Sequence, residues 1–160
     1  DVFPMWNFSC ADPSPAMLKQ ASKRFISNNI QVKVVRCSGE DLPFEDNSFD
    51  VVSTLSSFHF WMDHERGTME LHRILKPGGI LIVTDWCHNY LACKVCATYL
   101  RLAGYPRQDW QIMSVTDLEK VLNIGNFDTQ LAKAYPLKGL RLFPGGPRWG
   151  MMTFVIQKQL

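Results

Sequence analysis

The chain has 160 residues, 46% of them hydrophobic, which is enough to bury one sizeable core in a single domain. A formal net charge of +2 is too small to argue for nucleic acid or an acidic membrane surface as a partner. No apolar run reaches transmembrane length and no signal-peptide pattern opens the chain, while five cysteines without framework spacing suit a reducing, cytoplasmic compartment.

Asp1 to Trp6 reads as the end of a helix running into a strand at Asn7 to Ala11. Asp12-Pro13-Ser14-Pro15 is its exit turn, with Ser14 as N-cap and Pro15 at the first position of a helix that runs to about Asn28. Met17, Leu18, Ala21 and Phe25 fall at helical spacing along it. Three short runs rich in β-branched residues, Val32 to Val35, Phe49 to Ser53 and Ile80 to Thr84, have the pattern of parallel strands buried on both faces. Between the last two, Asp63 to Leu75 reads as a helix with Leu71, Ile74 and Leu75 on its apolar face. Lys76-Pro77-Gly78-Gly79 is expected to stop it, Gly by positive-φ closure and Pro by forbidding continuation. This strand, helix, strand unit predicts a right-handed crossover.

A polar loop, Trp86 to Asn89, precedes a helix whose Leu91, Val95, Thr98, Tyr99 and Leu102 share a face and which Gly104 closes. Tyr105 to Met113 reads as a loop, and Ser114-Val115-Thr116-Asp117 as a near capping box that opens a short helix. Phe127 to Pro136 and Met151 to Gln157 read as strands, joined through the turn-forming Pro144-Gly145-Gly146-Pro147 and therefore an antiparallel pair at the sheet edge. No internal repeat interrupts this alternation of strands and helices, which predicts an α/β fold.

Glu40-Asp41-Leu42-Pro43-Phe44, Asn47-Ser48-Phe49-Asp50-Val51-Val52 and Leu75-Lys76-Pro77-Gly78-Gly79 before a strand resemble, in order and spacing, the class I S-adenosylmethionine-dependent methyltransferases. The branch they resemble is the small-molecule one that contains the ubiquinone-type C-methyltransferases. The resemblance covers residues 7 to 85, and it implies a doubly wound, mostly parallel Rossmann-like sheet with S-adenosyl-L-methionine as cofactor. It also implies a strand and a Gly-rich loop that would lie before Asp1, since no G-x-G pattern occurs upstream of Asp12. The sheet is therefore expected to split at that place, and residues 1–160 to be a single methyltransferase domain, N-terminally incomplete.

In the resemblance, Asp12 with Pro13 and Ser14 stands where a carboxylate accepts hydrogen bonds from ribose hydroxyls, although Asp-Pro-Ser is also an ordinary turn and cap. Ser38, Gly39, Glu40 and Leu42 stand in the adenine loop, with Ser38 at the position of the family's usual Asp and Leu42 packing on the ring. Thr54, Leu55 and Ser56 would line the cleft beneath the sulfonium. His59 is a general base, a substrate orienter or a satisfied structural histidine, and Asp85 holds or deprotonates the acceptor or caps a strand exit. Phe58, Phe60, Trp61, Trp86, Tyr90, Tyr105 and Trp110 fall in the substrate-side segments.

Cys93-Lys94-Val95-Cys96 lacks the second pair a zinc site needs, so no metal is expected. The expected activity is methyl transfer to a small apolar or aromatic acceptor by a possible homo-oligomer without nucleic-acid partner or membrane span. The alternative is a methyltransferase-like binding domain that has lost catalysis, which Ser38 and the lack of a Gly-rich loop favour.

Overall fold

A computed structural model describes residues 6–160, so the helix end expected over Asp1 to Trp6 lies, Trp6 apart, outside the described residues. The chain runs β1 (Phe8–Ala11), α1 (Pro15–Ser27), β2 (Val32–Val35), β3 (Phe49–Leu55), a 3₁₀ turn (Phe58–Phe60), α2 (His64–Ile74) and β4 (Leu75–Trp86). It continues through α3 (Leu91–Leu102), α4 (Arg107–Trp110), α5 (Val115–Ile124), β5 (Phe127–Arg141) and β6 (Arg148–Lys158). Ser14 caps α1 by accepting from Met17 N, Asp63 caps α2 by accepting from Arg66 N, and Ser114 and Asp117 complete a capping box on α5.

Two sheets form among the described residues, a parallel pair β1-β2 and a four-stranded sheet in the order β3-β4-β6-β5. β3 and β4 are parallel, while β6 runs antiparallel to both β4 and β5. Leu81 and Val83 of β4 and Met152, Phe154 and Ile156 of β6 alternate onto one face, against Leu71 and Ile74 of α2 and Leu118 and Leu122 of α5. That layer is the core. Lys158 ties its rim by donating from Nζ to Asn47 Oδ1 (2.8 Å), His72 O (2.8 Å) and Leu75 O (2.7 Å), where α2 ends with carbonyls to satisfy.

Four sequence expectations need correction. Helix α2 ends at Ile74 without a glycine closure, because Leu75 already has extended backbone (ψ 137°) and starts β4. Gly78, with φ 78°, instead serves an irregularity in the β3-β4 ladder, and a Cβ on Gly79 would meet Lys76 O at 2.8 Å. The runs over β2 and β3 are not buried on both faces, Val34 being 39% and Val51 41% exposed, because the split sheet leaves part of their surface uncovered. The side that α3 buries is Ala92, Cys93 and Ala97, close to β6, where Cys93 Sγ is 3.5 Å from Gly150 O. The segment Tyr105 to Met113 contains the short helix α4, and β5 and β6 extend past their expected ends to Arg141 and back to Arg148.

Candidate functional site

β1 and β3 each pair on one side only, and their other edges border one slot of about 1000 Å³. Asp12 and Pro13 reach it from the exit of β1, Ser38, Gly39 and Leu42 from the loop after β2, and Thr54 and Leu55 from the end of β3. The exits of β1, β2 and β3 thus converge on it, as strand ends do at the ligand crevices of open α/β sheets. Its lining also takes in Phe8 and Ser9 of β1 and Phe49 to Ser53 of β3, so this volume counts the gap between the two sheets as well as the crevice at their exits.

The local bonds show what each residue has left to offer. Asp12 Oδ1 accepts from Ser14 N at 2.7 Å, and Oδ2 forms no hydrogen bond among the described residues. Ser14 is committed to capping α1 and does not line the slot. Glu40 is also committed, because its Oε1 accepts from Met62 N (2.7 Å) and Asp63 N (3.4 Å). Its carboxylate ties the loop to the start of α2, and Glu40 is absent from the slot lining. Leu42 is buried, and Thr54 Oγ1 shares a 2.6 Å hydrogen bond with Ser57 Oγ. Ser56 holds a left-handed backbone (φ 50°), which costs a residue with a Cβ about 1–2 kcal/mol. That conformation turns the chain sharply at the exit of β3, and Ser56 N donates to Thr84 O at 2.8 Å.

Two devices that brace the slot carry no sequence signal specific enough to single them out. Glu70 and Arg73 lie one turn apart on α2 and grip the loop: Glu70 Oε2 accepts from Leu42 N (2.9 Å), while Arg73 donates from Nη2 to Leu42 O (2.8 Å) and from Nη1 to Phe44 O (2.7 Å). Arg73 also forks onto both oxygens of Glu70 at 2.8 Å and reaches Asp46 Oδ1 at 2.7 Å. The guanidinium holds the Glu70 carboxyl below its ordinary range, and the two carboxylates push the Arg73 pKa up. The second device is Trp61, a slot residue whose indole lies between Gly39 and Gly67, where a Cβ on either would fall 2.3 Å from the ring.

His59 and Asp85 come together on the other side of the β3 exit. Leu55 pairs with Thr84 across the parallel ladder, so the turn after β3 passes the end of β4. Asp85 is 2% exposed and accepts three hydrogen bonds, from His59 Nδ1 (2.6 Å), His59 N (2.9 Å) and Trp86 N (2.7 Å). A carboxylate acceptor makes Nδ1 the protonated ring nitrogen and leaves the lone pair on Nε2, which forms no hydrogen bond among the described residues. The dyad borders a void lined by Phe58, Trp86, Met113, Leu118 and Met152 that has no room for a water molecule.

The aromatic residues divide. Phe58 is a core residue, Phe60 and Tyr105 are exposed, Trp86 meets Trp149 edge-on at 5.6 Å, and the Tyr90 ring packs against Gly150. Trp110 Nε1 donates to Tyr105 O at 3.1 Å. Among the described residues no group of three or more His, Cys, Asp or Glu side chains is arranged to hold a metal ion.

Residues 3–83 match the family model described as a methyltransferase domain. Demethylmenaquinone methyltransferase of Thermus thermophilus is 34% identical over 76 residues, which cover 48% of this chain and 34% of that protein. The ubiquinone/menaquinone biosynthesis C-methyltransferase UbiE of Ectopseudomonas mendocina is 34% identical over 102 residues, 61% of this chain and 40% of that protein. The chain therefore spans well under half the length of these curated relatives. Among solved structures, a SAM-dependent methyltransferase of Methanosarcina mazei superposes with a TM-score of 0.74 at 17% identity, covering 95% of this chain and 82% of that one.

Proposed function

The chain belongs to the methyltransferase-domain family, whose model matches just over half of it, and from that premise we propose that it takes part in methyl transfer from S-adenosylmethionine to a small apolar or aromatic acceptor. The observation that carries the proposal is the convergence of Asp12, Ser38, Gly39, Leu42, Thr54 and Leu55 at the strand exits that border one slot. When bound, the cofactor supplies an activated methyl group on a sulfonium, so the protein's work is positioning.

Asp12 has one carboxylate oxygen uncommitted and serves a ribose hydroxyl. Leu42 and the Gly39 backbone offer an apolar, closely approachable wall to the adenine, and Ser38 a hydroxyl for its polar edge. Thr54 and Leu55 form the floor, whereas Ser56 does not line the slot and acts through the turn its left-handed backbone makes at the strand end. Pro13 shapes the entrance, whereas Ser14 and Glu40 act on the loops rather than on the ligand. On this reading residues 1–160 are one domain, and the unpaired edges of β1 and β3 have room for one further parallel strand.

His59 is the candidate base. With Nδ1 held by Asp85, its Nε2 can accept a proton from an acceptor hydroxyl only once the closed void beside the dyad opens to the acceptor, and the carboxylate then offsets the charge on the ring. An aromatic, quinone-like acceptor suits Trp86, Tyr90 and Trp149 nearby, and the relatives named for menaquinone and ubiquinone biosynthesis support that class. All five cysteines are free, which favours a reducing, cytoplasmic setting. The test is transfer of labelled methyl to a panel of hydroquinones and phenols. His59→Ala is expected to lower the rate by about 10²-fold or more while leaving cofactor affinity within about threefold. An unchanged rate removes His59 from the chemistry, and no transfer to any acceptor by the cofactor-loaded wild type overturns the acceptor class.

A further inference from the structure

Helix α3 is turned against its own hydrophobicity. The face it buries is made of small residues, Ala92, Cys93 and Ala97, and the large apolar ones look outward: Leu91 is 60% exposed, Val95 43%, Tyr99 65% and Leu102 78%. Their spacing puts them in one stripe three turns long. Tyr105, 52% exposed, extends the stripe beyond the helix end.

Lys94 and Arg101 flank that stripe on one side, and Arg107 follows at the start of α4; all three are exposed. None of them forms an ion pair among the described residues, and α3 contains no Asp or Glu. The chain's small net charge conceals this local surplus, in which unpaired cations border unpaired apolar surface.

We propose that this face docks on a lipid bilayer with anionic headgroups, the apolar stripe entering the acyl boundary and Lys94, Arg101 and Arg107 resting at the phosphates. An apolar stripe flanked by Lys and Arg is the pattern of a helix lying in the plane of a membrane interface. Self-association through the same face is disfavoured. An antiparallel two-fold pairing of α3 sets its cations on one side against their copies, with no α3 carboxylate to offset them. This inference concerns where the protein sits and is independent of methyl transfer.

The test is co-sedimentation of the chain with phosphatidylcholine vesicles, with and without phosphatidylglycerol. Wild type is compared with Val95→Gln/Leu102→Gln and with Lys94→Gln/Arg101→Gln, and circular dichroism confirms that each variant keeps its helices. Wild type is expected to bind the phosphatidylglycerol vesicles about tenfold or more tightly than the neutral ones. Each double variant is expected to lose about tenfold or more on the anionic vesicles, and added salt to weaken wild type alone or most. Absence of vesicle binding by wild type overturns the proposal. So does equal binding by wild type and both variants, which assigns adhesion to another surface such as the open slot. A concentration-dependent dimer abolished by Val95→Gln/Leu102→Gln, with no vesicle binding, assigns the stripe to a second copy instead.

Discussion

A Cβ placed on Gly67 lies 2.3 Å from Cε3 of Trp61, and this single distance decides the sign of a substitution that helix propensity alone would get wrong. Gly67→Ala gains about 1 kcal/mol of helix propensity in α2 but forces the indole out of a close-packed site, at about 1–3 kcal/mol or more. Net destabilisation of about 1–2 kcal/mol in urea unfolding is expected, with a shift in Trp61 emission. Arg73 offers a second test at this scale. Lysine keeps the charge but cannot reach Leu42 O, Phe44 O and both Glu70 oxygens from one planar fork. Arg73→Lys is therefore expected to cost about 2 kcal/mol and to weaken S-adenosylhomocysteine binding about tenfold, read by calorimetry. The i,i+3 spacing of Glu70 and Arg73 is visible in the sequence, but their targets are backbone atoms some thirty residues away, which no residue type announces.

Helix α2 carries two histidines whose pKa values burial lowers, His64 chiefly by desolvation and His72 by desolvation and then Lys158. Phe58 backbone and the carboxylates of Glu40, Asp63 and Asp85 oppose the shift at His64 without cancelling it. The unfolded chain, with histidines near 6.5, then binds more protons than the folded one as pH falls, so stability is full above that value and declines below it. Urea midpoints are expected to fall between about pH 7 and about pH 5, and the fall to shrink in His64→Gln; an equal fall in the variant assigns the effect elsewhere. Glu70 acts in a lower window, its contribution lost as pH drops under the ordinary carboxyl value of 4.5.

At this scale most of the fold was legible, because caps and strand runs are local: Ser14, Asp63 and Ser114 each mark a helix start that the structure keeps. Which way the shared face of α3 turns was not. Periodicity ranks side chains by hydrophobicity, whereas close approach to β6 selects them by size, and Cys93 against Gly150 fits where Leu102 does not. The Lys76-Pro77-Gly78-Gly79 stop was misread for a similar reason, since its glycines serve the closeness of β4 to β3 rather than the helix end.

For the whole molecule, the sheet splits between β1 and β3, and the slot that results is where residues far apart in sequence meet. The order of the motifs located the slot's three walls, but committed carboxylates such as Glu40 and the braces from α2 appear only in three dimensions. His59 and Asp85, 26 residues apart, meet because two parallel strands end side by side. On the proposed function this slot holds the adenosine end of the cofactor with Asp12 on the ribose, and isothermal calorimetry with S-adenosylhomocysteine is the test. The chain is expected to bind with a dissociation constant of micromolar order, weakened about tenfold or more in Asp12→Ala, since a charged hydrogen bond contributes about 1.5–3 kcal/mol. A folded chain that binds nothing, or that binds equally well with and without the Asp12 carboxylate, contradicts it.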